Sequence, residues 1–287
     1  MGAPNLKLMP ELPEVETIAD YLRRGKDGLS LVGQSIVSVD IQWNRTIAEP
    51  GPQEFEQRIC GQQILEIGRR AKFLKIGLSQ GFLLVHLRMS GDLRMELETE
   101  PDGRVREFGV HDRVIFHLAS GWRLVFNDAR KFGRIWLVDD PTPILKNLGP
   151  EPLDPEFSAA VLYDRLQRYS RQLKPLLLDQ SFLAGLGNIY TDEALHRAKL
   201  HPNQLANRLS TEQADRLWNA IRLVLSEGIR QHGASIDWVY RGGDFQNTFR
   251  VYRRTGEPCL ECGTIIIRLV VGQRSTHICP TCQPGPV

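Results

Sequence analysis

The 287-residue sequence has no apolar run that approaches the ~20 residues needed to cross a bilayer. Its first eight residues, Met-Gly-Ala-Pro-Asn-Leu-Lys-Leu, also lack the long apolar core of a secretory signal peptide. These absences argue against an integral membrane protein and against secretion. We therefore expect a cytoplasmic protein, and its 41% hydrophobic and 24% charged residues are typical of a folded chain.

An excess of charge of either sign is missing too. The chain has 36 lysine and arginine residues against 34 aspartate and glutamate residues, so its net charge is only +2. The total gives little reason to expect a nucleic-acid partner, but positive charge is concentrated in residues 69–75 and 250–254. Each of these segments is compatible with a solvated surface or with a phosphate-binding one.

Cysteine is scarce, and four of the five cysteines form the pattern Cys-x2-Cys-x16-Cys-x2-Cys. In a chain without a secretion signal, such pairs favour zinc over disulfide bonds. Four thiolates complete a closed tetrahedral shell, so this zinc would be structural. The predicted ligands of the single Zn²⁺ are Cys259, Cys262, Cys279 and Cys282. The remaining Cys60 lies in an apolar stretch and is expected to be a small core residue.

The segment between the cysteine pairs predicts a hairpin. Ile265, Ile267, Leu269 and Val271 alternate with other residues, and Gly272-Gln273 offers a turn. The turn would present Arg274 near the tip of a metal-stapled hairpin, where a guanidinium suits contact with a phosphate backbone.

Periodicity divides the rest of the chain into a strand-rich part and a helical part. Apolar residues at helical spacing after Pro13 predict a first helix that Gly25 ends. Alternation from Val37 to Trp43 predicts a half-buried strand. Further strands are predicted at residues 63–67, 73–78, 82–87, 113–117 and 123–126, and further helices at 160–169, 175–179, 192–198 and 211–229. Many short strands with one early helix indicate a β-sandwich, and the proline-rich residues 138–156 indicate a linker.

The opening motif, Met9-Pro10-Glu11, suggests covalent chemistry. If translation begins at Met9 and this residue is removed, Pro10 becomes a free secondary amine. Such an amine is a nucleophile that forms a permanently charged iminium with an aldehyde-level carbon.

Residues 10–17, Pro-Glu-Leu-Pro-Glu-Val-Glu-Thr, together with the cysteine pairs, resemble the formamidopyrimidine-DNA glycosylase family of DNA repair enzymes. The resemblance runs from Met9 to about Gln283. It implies an α+β multidomain fold with an N-terminal β-sandwich, a helical helix–two-turn–helix domain and a C-terminal zinc finger with a β-hairpin. The corresponding boundaries are an extension at 1–9, a catalytic sandwich at 10–137, a linker at 138–156, the helical domain at 157–244, the finger at 245–283 and a tail at 284–287.

The resemblance also implies roles for individual residues. Pro10 would be the nucleophile, Glu11 the general acid and Glu14 a supporting residue, with Lys72 and Arg274 assisting catalysis at the phosphates. The residues that would contact DNA are His111, Arg130, Lys174, Asn188 and Arg274. The residues that would fill the void left by an everted base are Met89, Arg130 and Phe132.

Two positions depart from the family's pattern. Arg88 stands where glycine is usual, so the backbone there could differ, and Ala129 replaces a proline, so its loop should be less rigid. Asn188 follows Gly185-Leu186-Gly187, and this stretch is expected to form a nest of backbone N–H groups suited to a phosphate. The region that caps the damaged base, residues 233–244, is shorter than the family leads one to expect.

The implied function is base-excision repair. The enzyme would remove 8-oxoguanine and formamidopyrimidines from duplex DNA and cleave abasic sites by β,δ-elimination, acting as a monomer associated with the nucleoid. One alternative is an endonuclease VIII-type enzyme for oxidised pyrimidines, against which the opening motif argues. Another is an inactive damaged-DNA binder or DNA-binding regulator, because the residues before Met9 would bury the Pro10 amine in an amide.

Overall fold

The computed structural model of the chain describes residues 9–25, 28–235 and 242–285. Most of the predicted N-terminal extension, residues 1–8, lies outside this range, as do residues 236–241 of the predicted base-capping region. The helices are α1 Leu12–Arg24, α2 Pro52–Ile59, α3 Thr142–Leu145, α4 Ala159–Gln167, α5 Leu173–Leu177, α6 Asn188–Ala198 and α7 Thr211–Arg230. The strands are β1 Ile36–Ile41, β2 Ile47–Glu49, β3 Ile64–Arg70, β4 Phe73–Leu78, β5 Phe82–His86, β6 Gly91–Leu97, β7 Asp112–Leu118, β8 Trp122–Asp128, β9 Arg134–Val138, β10 Ile267–Val271 and β11 Arg274–Ile278.

The N-terminal strands form the predicted sandwich. One sheet has the order β1-β7-β8-β6 and the other the order β2-β9-β5-β4-β3. Every pairing is antiparallel except that of β2 with β9. The two sheets share one apolar core, to which Phe55 of α2 also contributes. Sequence periodicity located six of these strands but missed β2, β6 and β9.

The first predicted strand has the right place, and Val39 is buried as its alternation requires, but Val37 is not. Val37 was expected to face inward, yet it is 54% exposed, while Ile36 and Val39 are buried. A bulge between Ile36 and Ser38 explains the difference, since one extra residue reverses the side-chain alternation along a strand.

Helix α1 joins the two halves of the molecule. It ends at Gly25, as predicted, where φ is +85° and an added Cβ would lie 2.0 Å from the Leu29 carbonyl oxygen. Val15, Ile18 and the residues that follow at helical spacing pack into the sandwich core. Leu12, at the start of the helix, instead packs into the core of the helical part. The Pro10-Glu11 segment is therefore held at the junction of two cores.

Helices α4 to α7 form the second core, with α6 packed along α7. Helix α7 begins with a capping box: Gln213 N donates to Ser210 Oγ at 3.2 Å, and Ser210 N donates to Gln213 Oε1 at 2.9 Å. Among the described residues, no helix is long and apolar enough to cross a membrane.

The C-terminal finger is a two-stranded hairpin that packs against α6. The Gly272-Gln273 turn is confirmed, with φ of +55° and +62°. The predicted alternation is wrong in part, because Ile265 is 51% exposed whereas Ile266 is buried. Ile266 faces a small core that includes Cys259 and Cys279, so the cysteine cluster decides which face of this segment is inside.

Two further expectations need correction. Cys60 is exposed and is not a core residue, since it follows the last turn of α2. The predicted linker contains the short helix α3, and its Glu151 makes close contacts with the sandwich.

Candidate active site and nucleic-acid interface

The carboxylate of Glu11 lies at the N-terminus of α6. Its Oε2 accepts a hydrogen bond from Gly187 N at 2.8 Å, and its Oε1 accepts one from Ile189 N at 2.9 Å. An added Cβ on Gly187 would lie 2.3 Å from the Glu11 Cδ atom, so only glycine leaves room for this carboxylate. The backbone nest that the sequence suggested for a phosphate is thus filled by the protein's own Glu11, which corrects that prediction.

Glu14 fixes the backbone beside Pro10. Its Oε2 accepts from Glu11 N at 2.9 Å, and its Oε1 accepts from Tyr190 Oη and Ala234 N, both at 2.7 Å. Glu14 is buried, and burial raises the pKa of its carboxyl group. The Pro10-Glu11 segment is therefore attached to α6 and to the end of α7 through two carboxylates.

The pKa of the Glu11 carboxyl group lies near neutrality. Burial raises the pKa of its carboxyl group to about 7; the Lys72 ammonium opposes this rise, and the Glu14 carboxylate adds to it. A carboxyl group with a pKa near neutrality can both donate and accept a proton under ordinary conditions. Pro10, the preceding residue, is buried beside it.

Lys72 lies in the tight turn between β3 and β4. Its side chain is buried, and desolvation lowers the pKa of its ammonium, while Glu11 and Glu14 raise it. The Arg274 guanidinium lowers the same pKa. Lys72 and Arg274, which are far in sequence from Glu11 and Glu14 and from each other, thus lie close enough to interact electrostatically in this site.

The two loops predicted to fill the void of an everted base are tied together by Asp128. Its Oδ1 accepts from Ser90 Oγ, next to Met89, and from Arg130 N at 3.1 Å. Its Oδ2 accepts from Gly133 N at 2.7 Å, next to Phe132. Met89, Arg130 and Phe132 are therefore carried by loops that share one carboxylate.

The tips of these loops are open to solvent. Phe132 is 49% exposed, and the Arg130 guanidinium carbon lies 5.1 Å from the centre of its ring. Arg88 has a φ of +54°, the conformation that glycine favours, so the residue change has kept the backbone that a glycine would adopt.

His111 lies on the exposed surface next to these loops. Its Nδ1 lies 3.3 Å from Arg113 Nη2. Since a guanidinium can only donate, Nδ1 is the acceptor and the ring proton of neutral His111 is on Nε2. The neutral His111 imidazole can therefore donate a hydrogen bond from Nε2.

Lys174 does not face a surface that DNA could reach. Its side chain is 0% exposed, and its Nζ donates to Asp192 Oδ1 at 2.6 Å, to Thr276 Oγ1 at 2.8 Å and to Ser275 O at 2.9 Å. The expected direct phosphate contact is thus incompatible with this geometry, because all three ammonium hydrogens have partners within the protein. Lys174 instead attaches the finger to α6.

Asp192 completes this attachment. Its Oδ2 accepts from His277 N at 2.9 Å, while its Oδ1 holds Lys174. Asn188 donates from Nδ2 to Ser275 O at 3.0 Å. The residues directly after Arg274 are therefore fixed by α6, and Arg274 itself is exposed at the end of the hairpin turn.

The four cysteine sulfurs fit a tetrahedral metal. All lie within 4.8 Å of one another, with Sγ–Sγ separations of 3.4 Å (262–279), 3.5 Å (262–282) and 3.9 Å (259–282). Four thiolates at the ordinary Zn–S distance of about 2.3 Å would be separated by about 3.8 Å. The donor set and spacing therefore suit one structural Zn²⁺ held by Cys259, Cys262, Cys279 and Cys282.

Four arginines of the two cation clusters are paired with carboxylates of the protein and are not free to bind phosphates. Arg69 and Arg70 both pair with Glu151, at 2.8 Å in each case. Arg250 pairs with Glu261, and Arg254 with Glu257, again at 2.8 Å. A high local density of positive charge in the sequence is therefore a poor predictor of phosphate binding. Acidic residues, either distant in sequence or on the same turn, form ion pairs with these arginines.

Sequence reasoning missed the acidic residues that assemble the site. Asp128, Glu151 and Asp192 have the contacts given above, and Glu193 accepts from Arg250 N, Val251 N and Tyr252 N at 2.8–3.1 Å. A signal in the sequence was the run Asp192-Glu193 between the apolar residues Ile189-Tyr190 and Ala194-Leu195, since charges that fold into a buried helix require partners there.

Three family models match the chain in order. They are the formamidopyrimidine-DNA glycosylase N-terminal domain over residues 9–135, the formamidopyrimidine-DNA glycosylase H2TH domain over 148–239 and the zinc finger found in FPG and IleRS over 256–285. Together they cover most of the sequence.

Similar proteins span almost the whole length. A formamidopyrimidine-DNA glycosylase of Pelotomaculum thermopropionicum is 45% identical, with 96% of this chain and 99% of that protein aligned. One of Bacillus subtilis is 42% identical, with the same shares aligned. The solved structure of Lactococcus lactis Fpg with DNA containing N7-benzyl-Fapy-dG superposes with a TM-score of 0.86 at 35% identity, over 96% of this chain and 100% of the other. A complex of the same organism's Fpg with abasic-site DNA has the same TM-score and coverage at 34% identity.

Proposed function

The chain belongs to the formamidopyrimidine-DNA glycosylase family, and we propose that Pro10, Glu11 and Lys72 are the residues with which it excises damaged bases. It is a base-excision repair enzyme that removes oxidised purines from duplex DNA, with one structural zinc in its finger. The observation that carries the residue assignment is the Glu11 carboxylate, which lies next to Pro10 and is held at the N-terminus of α6.

The first step is eversion of the damaged nucleotide, because C1′ cannot be reached inside the stacked duplex. Met89 and Phe132 fill the vacated space as apolar wedges, and Arg130 donates hydrogen bonds to the orphaned partner base. The loops that carry them share Asp128, so the wedges enter the duplex as one unit. Unstacking costs a few kcal/mol, which these contacts offset.

The second step is displacement of the base. The free secondary amine of Pro10 attacks C1′, so that a C–N bond forms and the bond from C1′ to the base breaks; the base leaves with that electron pair and takes up the proton that the amine loses. The C1′–O4′ bond then breaks as Glu11 gives its proton to O4′, which opens the sugar. The product is an iminium that has no N–H to lose and stays cationic. It withdraws electrons from the sugar, so that β-elimination and then δ-elimination release the two flanking phosphates.

The phosphates are positioned by groups from three parts of the fold. Lys72 comes from the sandwich, Asn188 from α6 and Arg274 from the finger, and His111 donates from Nε2 on the sandwich side. The ammonium and the guanidinium offset the phosphates' charge, and the amide and imidazole donate hydrogen bonds. Phosphate contacts carry no sequence information, which suits an enzyme that must search all DNA. We further propose that the enzyme works as a cytoplasmic monomer, and that binding to DNA of any sequence keeps it associated with the nucleoid.

The N-terminus decides between this function and a binder without activity. Pro10 in the full chain is acylated by Met9, and an amide nitrogen is not a nucleophile. The match to the N-terminal family model begins at Met9, in agreement with a processed form that starts at Pro10.

The test compares a form whose mass shows Pro10 as the first residue with a form that retains Met1. Both are incubated with borohydride and duplexes that contain 8-oxoguanine, an abasic site or the oxidised pyrimidine thymine glycol. We expect the Pro10 form alone to be trapped on DNA, and to excise 8-oxoguanine in preference to thymine glycol. Trapping of the Met1 form through Pro10 would refute the nucleophile assignment, and preference for thymine glycol would favour the endonuclease VIII-type alternative.

A further inference from the structure

Glu151 reaches across from the helical side to the turn that carries Lys72. Its Oε1 accepts from Ala71 N at 2.6 Å and from Arg70 Nη1 at 2.8 Å. Its Oε2 accepts from Arg69 Nη1 at 2.8 Å. One carboxylate, from a residue 80 to 82 positions later in the sequence, thus contacts the three residues before Lys72.

The turn needs such a contact because its backbone is unfavourable. Ala71 has a φ of +53°, in the left-handed region that residues with a Cβ seldom occupy, and it is buried. A buried N–H group also requires an acceptor, and for Ala71 N the Glu151 carboxylate supplies it. Arg69 Nη1 donates to Ala71 O at 2.9 Å, so both polar backbone groups of this residue are held by the same ion pair.

The contact also connects the turn to the elements on either side. Arg69 donates from Nε to Glu16 Oε2 of α1 at 3.0 Å, and Arg70 donates from Nη2 to Gly149 O at 2.5 Å. The placement of the turn therefore depends on how the sandwich, α1 and the start of the helical part meet. Lys72, the next residue, is buried opposite Glu11 and Glu14, so a small shift of the turn would change its distance from both.

We propose that Glu151 is a positioning residue for Lys72, which sets the ammonium in the active site and makes its placement dependent on the junction between the sandwich and the helical domain. The inference rests on the function proposed above for Lys72. Glu151 itself has no contact with the reacting atoms, since its carboxylate is fully engaged by Arg69, Arg70 and Ala71.

A double-mutant cycle tests this dependence. The form that begins at Pro10 is prepared as wild type, as Glu151→Gln, as Lys72→Ala and with both changes. Single-turnover excision of 8-oxoguanine is measured with saturating enzyme. Because misplacing a reacting group by about 1 Å costs roughly a hundredfold, we expect Glu151→Gln to slow excision by about tenfold to a hundredfold. In the Lys72→Ala background the same change should slow it by less than about twofold, since the group being positioned is gone.

Controls separate positioning from folding. Glu66→Gln removes an exposed carboxylate of β3 that lies 3.6 Å from Lys75, and it should leave excision unchanged. Thermal unfolding and zinc content are measured for every variant. If Glu151→Gln is poorly folded, Ala71→Gly is added to it, because glycine accepts the positive φ without help from a carboxylate. Recovery of fold and of at least part of the excision rate would support the proposal.

The outcomes distinguish this inference from the proposed function. The positioning role would be overturned if Glu151→Gln excises at the wild-type rate. It would also be overturned if Glu151→Gln slows excision by the same factor with and without Lys72. Neither outcome would affect the proposed function of the enzyme. Absence of excision by the wild-type Pro10 form would overturn the proposed function, and the inference with it.

Discussion

The Nζ atom of Lys174 lies 2.6 Å from Oδ1 of Asp192, and both side chains are completely buried. The same two residues hold Ser275, Thr276 and His277, which directly follow Arg274. A lysine that resemblance assigned to DNA is therefore part of the support for Arg274, the arginine proposed to contact DNA. A buried pair of this kind has little net value for stability but is sensitive to the loss of one partner.

Removing one charge of this pair is expected to be worse than removing both. Lys174→Met leaves Asp192 as an unpaired buried charge, and should lower the free energy of unfolding by about 3–5 kcal/mol. The double variant Lys174→Met/Asp192→Asn should be destabilised less, because no isolated charge is left and Asn still accepts from His277 N. Denaturant unfolding measures both. A matched control is Arg171→Gln, which breaks an exposed ion pair with Asp179 and should cost less than about 1 kcal/mol. An equal effect of Lys174→Met and the double variant would contradict this reading.

The general-acid role of Glu11 predicts a pH profile. Its pKa is raised to about 7, so the protonated donor is depleted as pH rises through this value, and excision by wild-type enzyme should decline on that alkaline side. Glu11→Gln should retain DNA affinity, excise about 10²–10⁴-fold more slowly and lack this decline. Single-turnover rates on 8-oxoguanine duplex, measured on either side of the pKa, provide the check. A variant that loses affinity and rate equally would point to a structural role instead.

The same shift has a consequence for stability. Because the pKa of Glu11 is raised from 4.5 to about 7 on folding, the folded protein binds a proton more tightly than the unfolded chain. Its contribution to stability is therefore present at low pH and is lost as pH rises through about 7. As pH rises from 4.5 to about 7, the unfolding free energy of wild type should therefore fall relative to that of Glu11→Gln.

Gly187→Ala tests whether the α6 N-terminus must be open for Glu11. The backbone at Gly187 has a φ of −132°, which alanine adopts without strain, so the effect should come from the 2.3 Å contact with the Glu11 Cδ atom. We expect a folded protein that binds zinc and DNA but excises about 10²-fold or more slowly, because the acid is displaced. Gly68→Ala, where an added Cβ meets nothing within 4 Å, is the control. Full activity of Gly187→Ala would show that the carboxylate need not lie at this helix end.

Single substitutions should distinguish the role of the finger's zinc from the role of Arg274. Cys279→Ser is expected to lose zinc and loosen the hairpin, since three thiolates and a hydroxyl bind zinc far less well. Arg274→Ala should keep zinc and fold but weaken binding to damaged and undamaged duplex alike, because a phosphate contact is blind to sequence. Its log–log salt dependence should become shallower by about 0.9, one phosphate's worth. Unchanged affinity and unchanged slope would mean that the hairpin tip does not contact the backbone.

Much of this molecule follows from residues that are close together in the sequence. Two Cys-x2-Cys pairs, the Gly272-Gln273 turn and the Ser210–Gln213 capping box are local patterns, and each has the structure that its chemistry predicts. The strands and helices with clear periodicity were likewise found, although a bulge at the start of β1 leaves Val37 exposed. Local patterns are reliable because their geometry is decided by a few adjacent residues.

The tertiary structure alone decided what each charged side chain does. The sequence contains the α6 N-terminus and Glu11 as separate features, 176 residues apart, and only folding shows that one fills the other. In the same way Glu151 forms ion pairs with Arg69 and Arg70, and Asp192 forms a buried ion pair with Lys174. The physical reason is that a charge acts through the partners that surround it in space, and burial makes those long-range partners, rather than sequence neighbours, determine its role.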